Sequence, residues 1–346
     1  MHIKRMMSIG ACAVLAASVF IGCGSEKPAV KNGEGKAAAV EIVAYGVMDP
    51  QISAQQIIAD KKGYFKEEGL KVTNKFVQSG GDISPLISGG TAQVSFESPY
   101  TDIALAANHV GVKIVAPMAD IGNTQCVVAS SRAHIVNAKD LEGKKIGIAS
   151  GAGVLIAIRN MCREMGVDIK KIQFVTLNPS DQLAAMEHGD IDAMACWEPW
   201  VSNAIKNNGK LLFSGLKSYL GDKQGDVQWL SFYTTMQVSD SFLQEHPEEI
   251  KAMLRALKKA TLFINEHPDE AAEIVAQEIK LDKAQVKTIM AQNKYNMQLD
   301  DHFVQSCDEM AGFMYEMKNI PLKPEFKKYA DPALLKAVDA GLVTAK

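Results

Sequence analysis

The sequence is poor in most features that announce a chemistry. Its 37 Lys and Arg face 40 Asp and Glu, a formal net charge of −3, so it carries no basic footprint for nucleic acid. Seven histidines are scattered with no i, i+4 pair, and no metal site is expected. No phosphate-binding loop ending in Gly-Lys-Ser/Thr and no Gly-x-Ser-x-Gly elbow occurs. Ser150-Gly151-Ala152-Gly153 runs on into Val154-Leu155-Ile156, without the third glycine of a dinucleotide fingerprint. Neither a cofactor nor a catalytic residue is therefore expected. Cysteines number six. Cys126, Cys162, Cys196 and Cys307 are spaced too widely for a zinc site or a small disulfide scaffold and read as buried thiols. Pairing of two of them stays open for an exported chain. No run of eighteen apolar residues exists, which leaves no ordinary membrane-spanning helix.

What is present starts at the N-terminus. Lys4 and Arg5 precede an uncharged stretch, Ala11 to Ile21, which ends in Gly22-Cys23. About ten apolar residues are too few to span a bilayer but suit a secretory signal. The small residue before Cys23 resembles the lipobox of bacterial lipoproteins, although Phe20 stands where that family usually has Leu. The resemblance implies a signal over residues 1–22, removed on export, and acylation of Cys23. An ordinary signal peptide that merely contains a cysteine is the alternative. Residues 23–40 include GSEKPAVKNGEGKAAA, without apolar periodicity, and read as a flexible tether. The expected address is an exported lipoprotein, held to a membrane by lipid and facing the periplasm or cell exterior.

Past residue 40 the chain alternates strand, turn and helix. Strand-like runs fall at 42–46, 72–77, 92–96, 113–116, 126–130, 145–149, 173–177 and 191–196. Ser53, Ser98 and Ser180 stand where helices would be capped. Gly63 and Gly189 would end them, and Pro99, Pro247 and Pro268 would open them. Such alternation implies an α/β fold with mostly parallel sheets flanked by helices, and the stretch beyond residue 241 reads as nearly all helix.

Four junctions where strands end and helices begin have an unusual composition: Gln78-Ser79-Gly80-Gly81-Asp82, Glu97-Ser98-Pro99-Tyr100, Ser150-Gly151-Ala152-Gly153 and Trp197-Glu198-Pro199-Trp200. Unpaired backbone N–H groups and helix dipoles point outward there. Any one of them is ordinary turn chemistry, but four in succession suggest a pocket for a small polar solute. The candidate ligand-binding residues are Asp49, Ser79, Gly80, Gly81, Glu97, Ser98, Tyr100, Ser150, Gly151, Gly153, Trp197, Glu198 and Phe232. Phe232 and Tyr233 are equally candidates for the core. None of the four junctions contains Lys or Arg, whereas Asp82, Glu97 and Glu198 are acidic. Glu97 therefore favours a ligand with an amine or ring N–H group, or else it bonds the backbone at the start of its own helix. Arg159 either reaches the cleft or sits on the surface.

The same segments resemble the solute-binding proteins for nitrate, aliphatic sulfonates and taurine. Ala59 to Leu70 (ADKKGYFKEEGL) is similar to their KGYFKKEGL opening, and Asp140 to Gly147 to their DLKGKKIG segment. Gly189-Asp190-Ile191-Asp192-Ala193 with Trp197-Glu198-Pro199 is similar to GDIDA…WEP, and Lys251 to Ala271 resembles the helices that follow. The family implies a two-lobed protein that closes by a hinge over a solute and hands it to a permease driven by an ATPase. With this come a monomer, a small-molecule partner, contact with the membrane through the N-terminal lipid, and no nucleic acid. Residues 41–128 and 232–346 would form the first lobe and 129–231 the second. Cys126 to Ser131 would lead out and Gln228 to Val238 would return. Ala152, Gly153 and Val154 stand where the family commonly has hydroxyls or a His, so no specific substrate carries over. Two alternatives remain: a ligand-sensing lipoprotein, and a binder or related-fold enzyme of the thiamin pyrimidine precursor. Those synthases use a cysteine cluster and a sacrificed histidine, and this chain has no cysteine cluster.

Overall fold

A computed structural model describes residues 40–346. The leader, Cys23 and the tether lie outside the described residues. The chain opens with β1 (Glu41–Val47), α1 (Ala54–Lys61), α2 (Tyr64–Glu67), β2 (Lys71–Val77), α3 (Ser84–Ser88), β3 (Val94–Glu97), α4 (Pro99–Ala107) and β4 (Val112–Asp120). It then enters β5 (Gln125–Ala129), β6 (Lys145–Ile148), α5 (Val154–Met165), β7 (Gln173–Thr176), α6 (Pro179–His188), β8 (Ala193–Trp197) and α7 (Trp200–Lys206). Three short strands follow, β9 (Lys210–Ser214), β10 (Lys217–Leu220) and β11 (Lys223–Asp226). The return is β12 (Tyr233–Ser239), α8 (Asp240–Glu245), α9 (Pro247–Glu266), α10 (Pro268–Ile279), α11 (Lys283–Met290), β13 (Lys294–Tyr295) and α12 (Asp301–Glu316).

Two sheets result, ordered β13-β4-β12-β3-β1-β2 and β11-β10-β9-β5-β8-β6-β7. They are mixed rather than mostly parallel. Pairing is parallel among β1, β2 and β3 and among β6, β7 and β8, where helices make the crossovers, and antiparallel elsewhere. The physical reason lies in the linkage between the sheets. β4 leaves the first sheet and β12 returns to it, so the two run side by side in opposite directions, from Tyr233 opposite Asp120 to Ser239 opposite Val112. The β9–β11 run was not legible as strands, because KLLFSGLKSYLGDKQGD has little β-branched alternation.

The crossing also differs from expectation. The Cys126–Ser131 segment does not bridge the lobes, since β5 is already an inner strand of the second sheet, paired with β8 and β9. The chain crosses at residues 121–124, where Gly122 N–H bonds the Asp120 carboxylate at 3.1 Å, and returns at 227–232. Ile121 N–H donates to Phe232 O at 2.7 Å, tying the two crossing segments together. Of the caps, Pro99, Pro247 and Pro268 each open a helix, and Gly189 ends α6 in the left-handed conformation. Ser180 is not the cap of α6; Asn178 holds that position and Pro179 begins the helix. Ser53 precedes α1, yet its hydroxyl donates to Val47 O at 2.6 Å instead of capping.

α9 and α10 pack on α1, and α9 also packs on α2. Arg255 and Lys259 of α9 pair with Glu68 and Glu67 at the end of α2. The C-terminal helices thus belong with the first sheet. Cys126, Cys162, Cys196 and Cys307 are all buried and unpaired.

Candidate ligand-binding site between the two sheets

The carboxyl ends of β1 and β3 and the loops after β2, β6 and β8 converge on one cavity of about 220 Å³. Strand ends gather there because the parallel halves of both sheets point their C-terminal edges at the cleft. Asp49, Ser79, Gly80, Gly81, Glu97, Ser98, Tyr100, Ser150, Gly151, Gly153, Trp197 and Phe232 all line it. Glu198 does not. Its carboxylate accepts the Ser202 backbone N–H at 2.9 Å, in the first turn of α7, and burial pushes its pKa up. Asp82 turns back to accept the Ser79 N–H at 3.1 Å. Arg159 pairs with Glu316 at 2.6 Å and lies over the Phe313 ring, away from the cavity. Tyr233 is buried and bonds His302, so it is core and Phe232 is lining.

Several wall residues gave no signal in the sequence. Gln51, Thr101 and Gln125 line the cavity, and such residues are usually surface polar groups. Gln51 is a strap. Its amide donates to Glu198 O at 2.7 Å across the cleft, and its carbonyl accepts the Thr124 hydroxyl. A glutamine reaching 147 positions along the chain cannot be recognised from local pattern.

Three carboxylates dominate the electrostatics. Asp49 is 1% exposed; one oxygen takes the N–H groups of Gln51 (2.9 Å) and Ile52 (2.8 Å), and the other has no partner. Burial, reinforced by the Glu97 charge, raises its pKa to about 7 against those two bonds. Glu97 is 7% exposed. It bonds the Ser98 backbone N–H where α4 begins, and it also lines the cavity, with its other oxygen against Gly80. Burial lifts its pKa to about 7 too, opposed by donors on Ser98 and Thr101. Asp102, one helical step behind the wall, is wholly buried with both oxygens unpartnered, and burial followed by the Glu97 charge holds its pKa well above the usual range. Among the described residues, no Lys, Arg, His or Cys lines the cavity.

Two glycines set its shape. A Cβ on Gly80 would lie 1.3 Å from a Glu97 carboxylate oxygen, so only glycine lets that carboxylate sit in the wall. At Gly153 a Cβ would come 2.1 Å from the Phe232 ring, so only glycine lets that ring pack against the backbone at the entry to α5.

Residues 49–271 match the family model described as NMT1/THI5 like. The chain belongs to the NMT1/THI5-like family. A Bacillus subtilis protein named for binding aliphatic sulfonates is 26% identical over 334 residues, covering 93% of this chain and 95% of that protein. The taurine-binding periplasmic protein of Escherichia coli is 25% identical over 207 residues, 60% of this chain and 61% of the relative. A 4-amino-5-hydroxymethyl-2-methylpyrimidine phosphate synthase of Aspergillus parasiticus is 25% identical over 225 residues, 62% of this chain and 64% of the enzyme. Among solved structures, the periplasmic aliphatic sulphonate binding protein of Escherichia coli superposes with a TM-score of 0.70 at 15% identity, covering 84% of this chain and 92% of that one. The fold is thus the two-lobed periplasmic-binding-protein fold.

Within that fold, this NMT1/THI5-like chain holds its lobes together. Besides the Gln51 strap, Gln78 donates to Ser180 at 3.2 Å, Arg159 bonds Glu316, and the Tyr100 ring of the first lobe lies against Gly151 of the second. The crossings at 121–124 and 227–232 are the covalent links between the two halves.

Proposed function

We propose that this chain is the extracytoplasmic solute-binding component of an ABC import system. It closes its lobes over a small organic solute that carries an amine or ring N–H group and delivers it to the permease. One observation carries the ligand class: among the described residues, two buried carboxylates face a cavity with no basic side chain, and one oxygen of Asp49 has no partner. A buried carboxylate in a closed cleft needs a donor or cation when it loses water. The walls add hydroxyls from Ser79 and Ser98, backbone N–H groups near Gly80 and Gly151, and the rings of Trp197, Tyr100 and Phe232. A cavity of ~150 Å³ accepts benzene, so this one suits a substituted six-membered ring or a compact amino compound. The sulfonate and taurine binders among its relatives support the importer class, while the acidic cavity argues against a plain anion such as nitrate.

An enzymatic reading draws on the pyrimidine phosphate synthase relative. Among the described residues, the cavity presents no His or Cys as donor or nucleophile for it. An aminopyrimidine as transported solute, by contrast, presents the N–H groups and flat ring that these walls suit. We further propose that Cys23 carries lipid and tethers the domain near its permease. No described helix is long and apolar enough to cross a membrane. Metabolic labelling with a fatty acid should mark the wild type and not Cys23→Ser, and an unlabelled wild type would refute the anchor.

The clamp is tested by thermal-shift screening of amines, N-heterocycles, sulfonates and nitrate, followed by small-angle scattering with the best binder. The ligand-free chain should be more extended, and the radius of gyration should fall at saturation. An unchanged radius would replace the clamp with a preformed pocket.

A further inference from the structure

A second cavity, of about 370 Å³, lies beside the first and shares Val47, Asp49 and Trp197 with it. Its remaining walls are mostly apolar: Met48 and Phe76 come from the strand ends of the first lobe, Pro199 and Trp200 from the second, and Ile279 and Leu281 from the end of α10. Trp197 is only half-buried and lines both cavities. Met48, also in the groove's wall, is 52% exposed. Bonds between the lobes bracket this groove. Gln78, in its wall, donates to Ser180, and Gln285 donates to Asn203, also in its wall, at 3.4 Å. The groove is therefore complete only when the lobes are together.

We propose that the groove holds the apolar tail of an elongated ligand, with Trp197 as the partition that separates tail from polar head. This deepens the solute-binding reading and rests on it. Both cavities are lined by Asp49, the residue with the unpartnered buried oxygen. A donor group held at Asp49 leaves the rest of the molecule beside Trp197, with apolar walls to either side. The solute would then be an amine or N-heterocycle bearing an alkyl or aryl chain, larger than the inner cavity alone admits.

Calorimetry on the full chain with straight-chain primary amines from propylamine to nonylamine tests this, with alkanesulfonates of matching length as a second arm. Affinity should rise about fourfold for each added methylene that enters the groove. Phe76→Ala and Trp200→Ala, neither in the inner cavity, should flatten that slope and leave propylamine within twofold of wild type. Thermal midpoints of both variants show whether they fold. Amines that bind equally at every length, or slopes unchanged in both folded variants, would overturn the groove. A chain-length slope seen with sulfonates and absent with amines would keep the groove and overturn the amine head. Failure of both series at every length would overturn both.

Discussion

Glu97→Gln should weaken an amine- or ring N–H-bearing solute by roughly 10- to 150-fold and leave a plain anion unaffected or slightly tighter. The range corresponds to the ~1.5–3 kcal/mol typical of a hydrogen bond to a charged group. Gln suits the test because its carbonyl can still accept the Ser98 N–H that Glu97 takes in the wild type, while the anionic charge is gone. The wall geometry also stays, since Gly80 leaves room for a side chain of this size and no larger group is introduced. Calorimetry with one amine and one alkanesulfonate decides the matter. Equal losses for both ligands would mean that Glu97 serves only the start of α4. Nitrate or alkanesulfonates outbinding every amine and heterocycle would sink the preference altogether.

Stability should fall as pH rises in the ligand-free protein. Asp49 and Glu97 have their pKa values raised from the ordinary carboxylate range to about 7, chiefly by burial. The folded state therefore holds protons that the unfolded chain has already released. The stabilisation is fully present below the unfolded values near pH 4 and is lost as pH climbs through 7. At ~1.4 kcal/mol for each tenfold difference in proton affinity, each of the two groups is worth on the order of 4 kcal/mol across that window. Amine binding should run the opposite way, strengthening between pH 5 and 7 as the carboxylates ionise and levelling above. Thermal melts from pH 4.5 to 8, set beside those of Asp49→Asn/Glu97→Gln, measure the first effect. A wild-type profile with the same slope as the double variant would show that these two groups do not carry it.

Much of the architecture was legible locally. The runs at 42–46, 72–77, 145–149 and 173–177 became strands because β-branched and aromatic content acts over a few residues, with alternating burial along 71–77. Pro99, Pro247 and Pro268 opened helices for an equally local reason, the fixed φ and the missing N–H. Four junctions of Ser, Gly and aromatic residues were also readable, since each is a short contiguous motif. Their meeting in one cavity was an inference from topology, and the structure now brings them to the same walls. Ser180 and Ser53 show the limit of local reading. Each stands where a cap is plausible, but Asn178 and Pro179 take the first role, and the second hydroxyl prefers the Val47 carbonyl.

The sequence by itself determined the alternation of strands and helices, the lack of a basic cavity residue at the four junctions, and the candidate walls. These rest on composition and near-neighbour periodicity, which need no knowledge of distant contacts. Only the tertiary structure decided that Glu198 turns into α7, that Arg159 meets Glu316, and that Gln51 straps the lobes together. It alone showed that Asp49 keeps one oxygen unpaired. Mixed sheets and the crossing at 121–124 were likewise invisible, because strand direction depends on which sheet the chain has entered and not on the strand's own residues. A side chain's partner, burial and resulting pKa come from residues brought together by folding, so no local pattern encodes them.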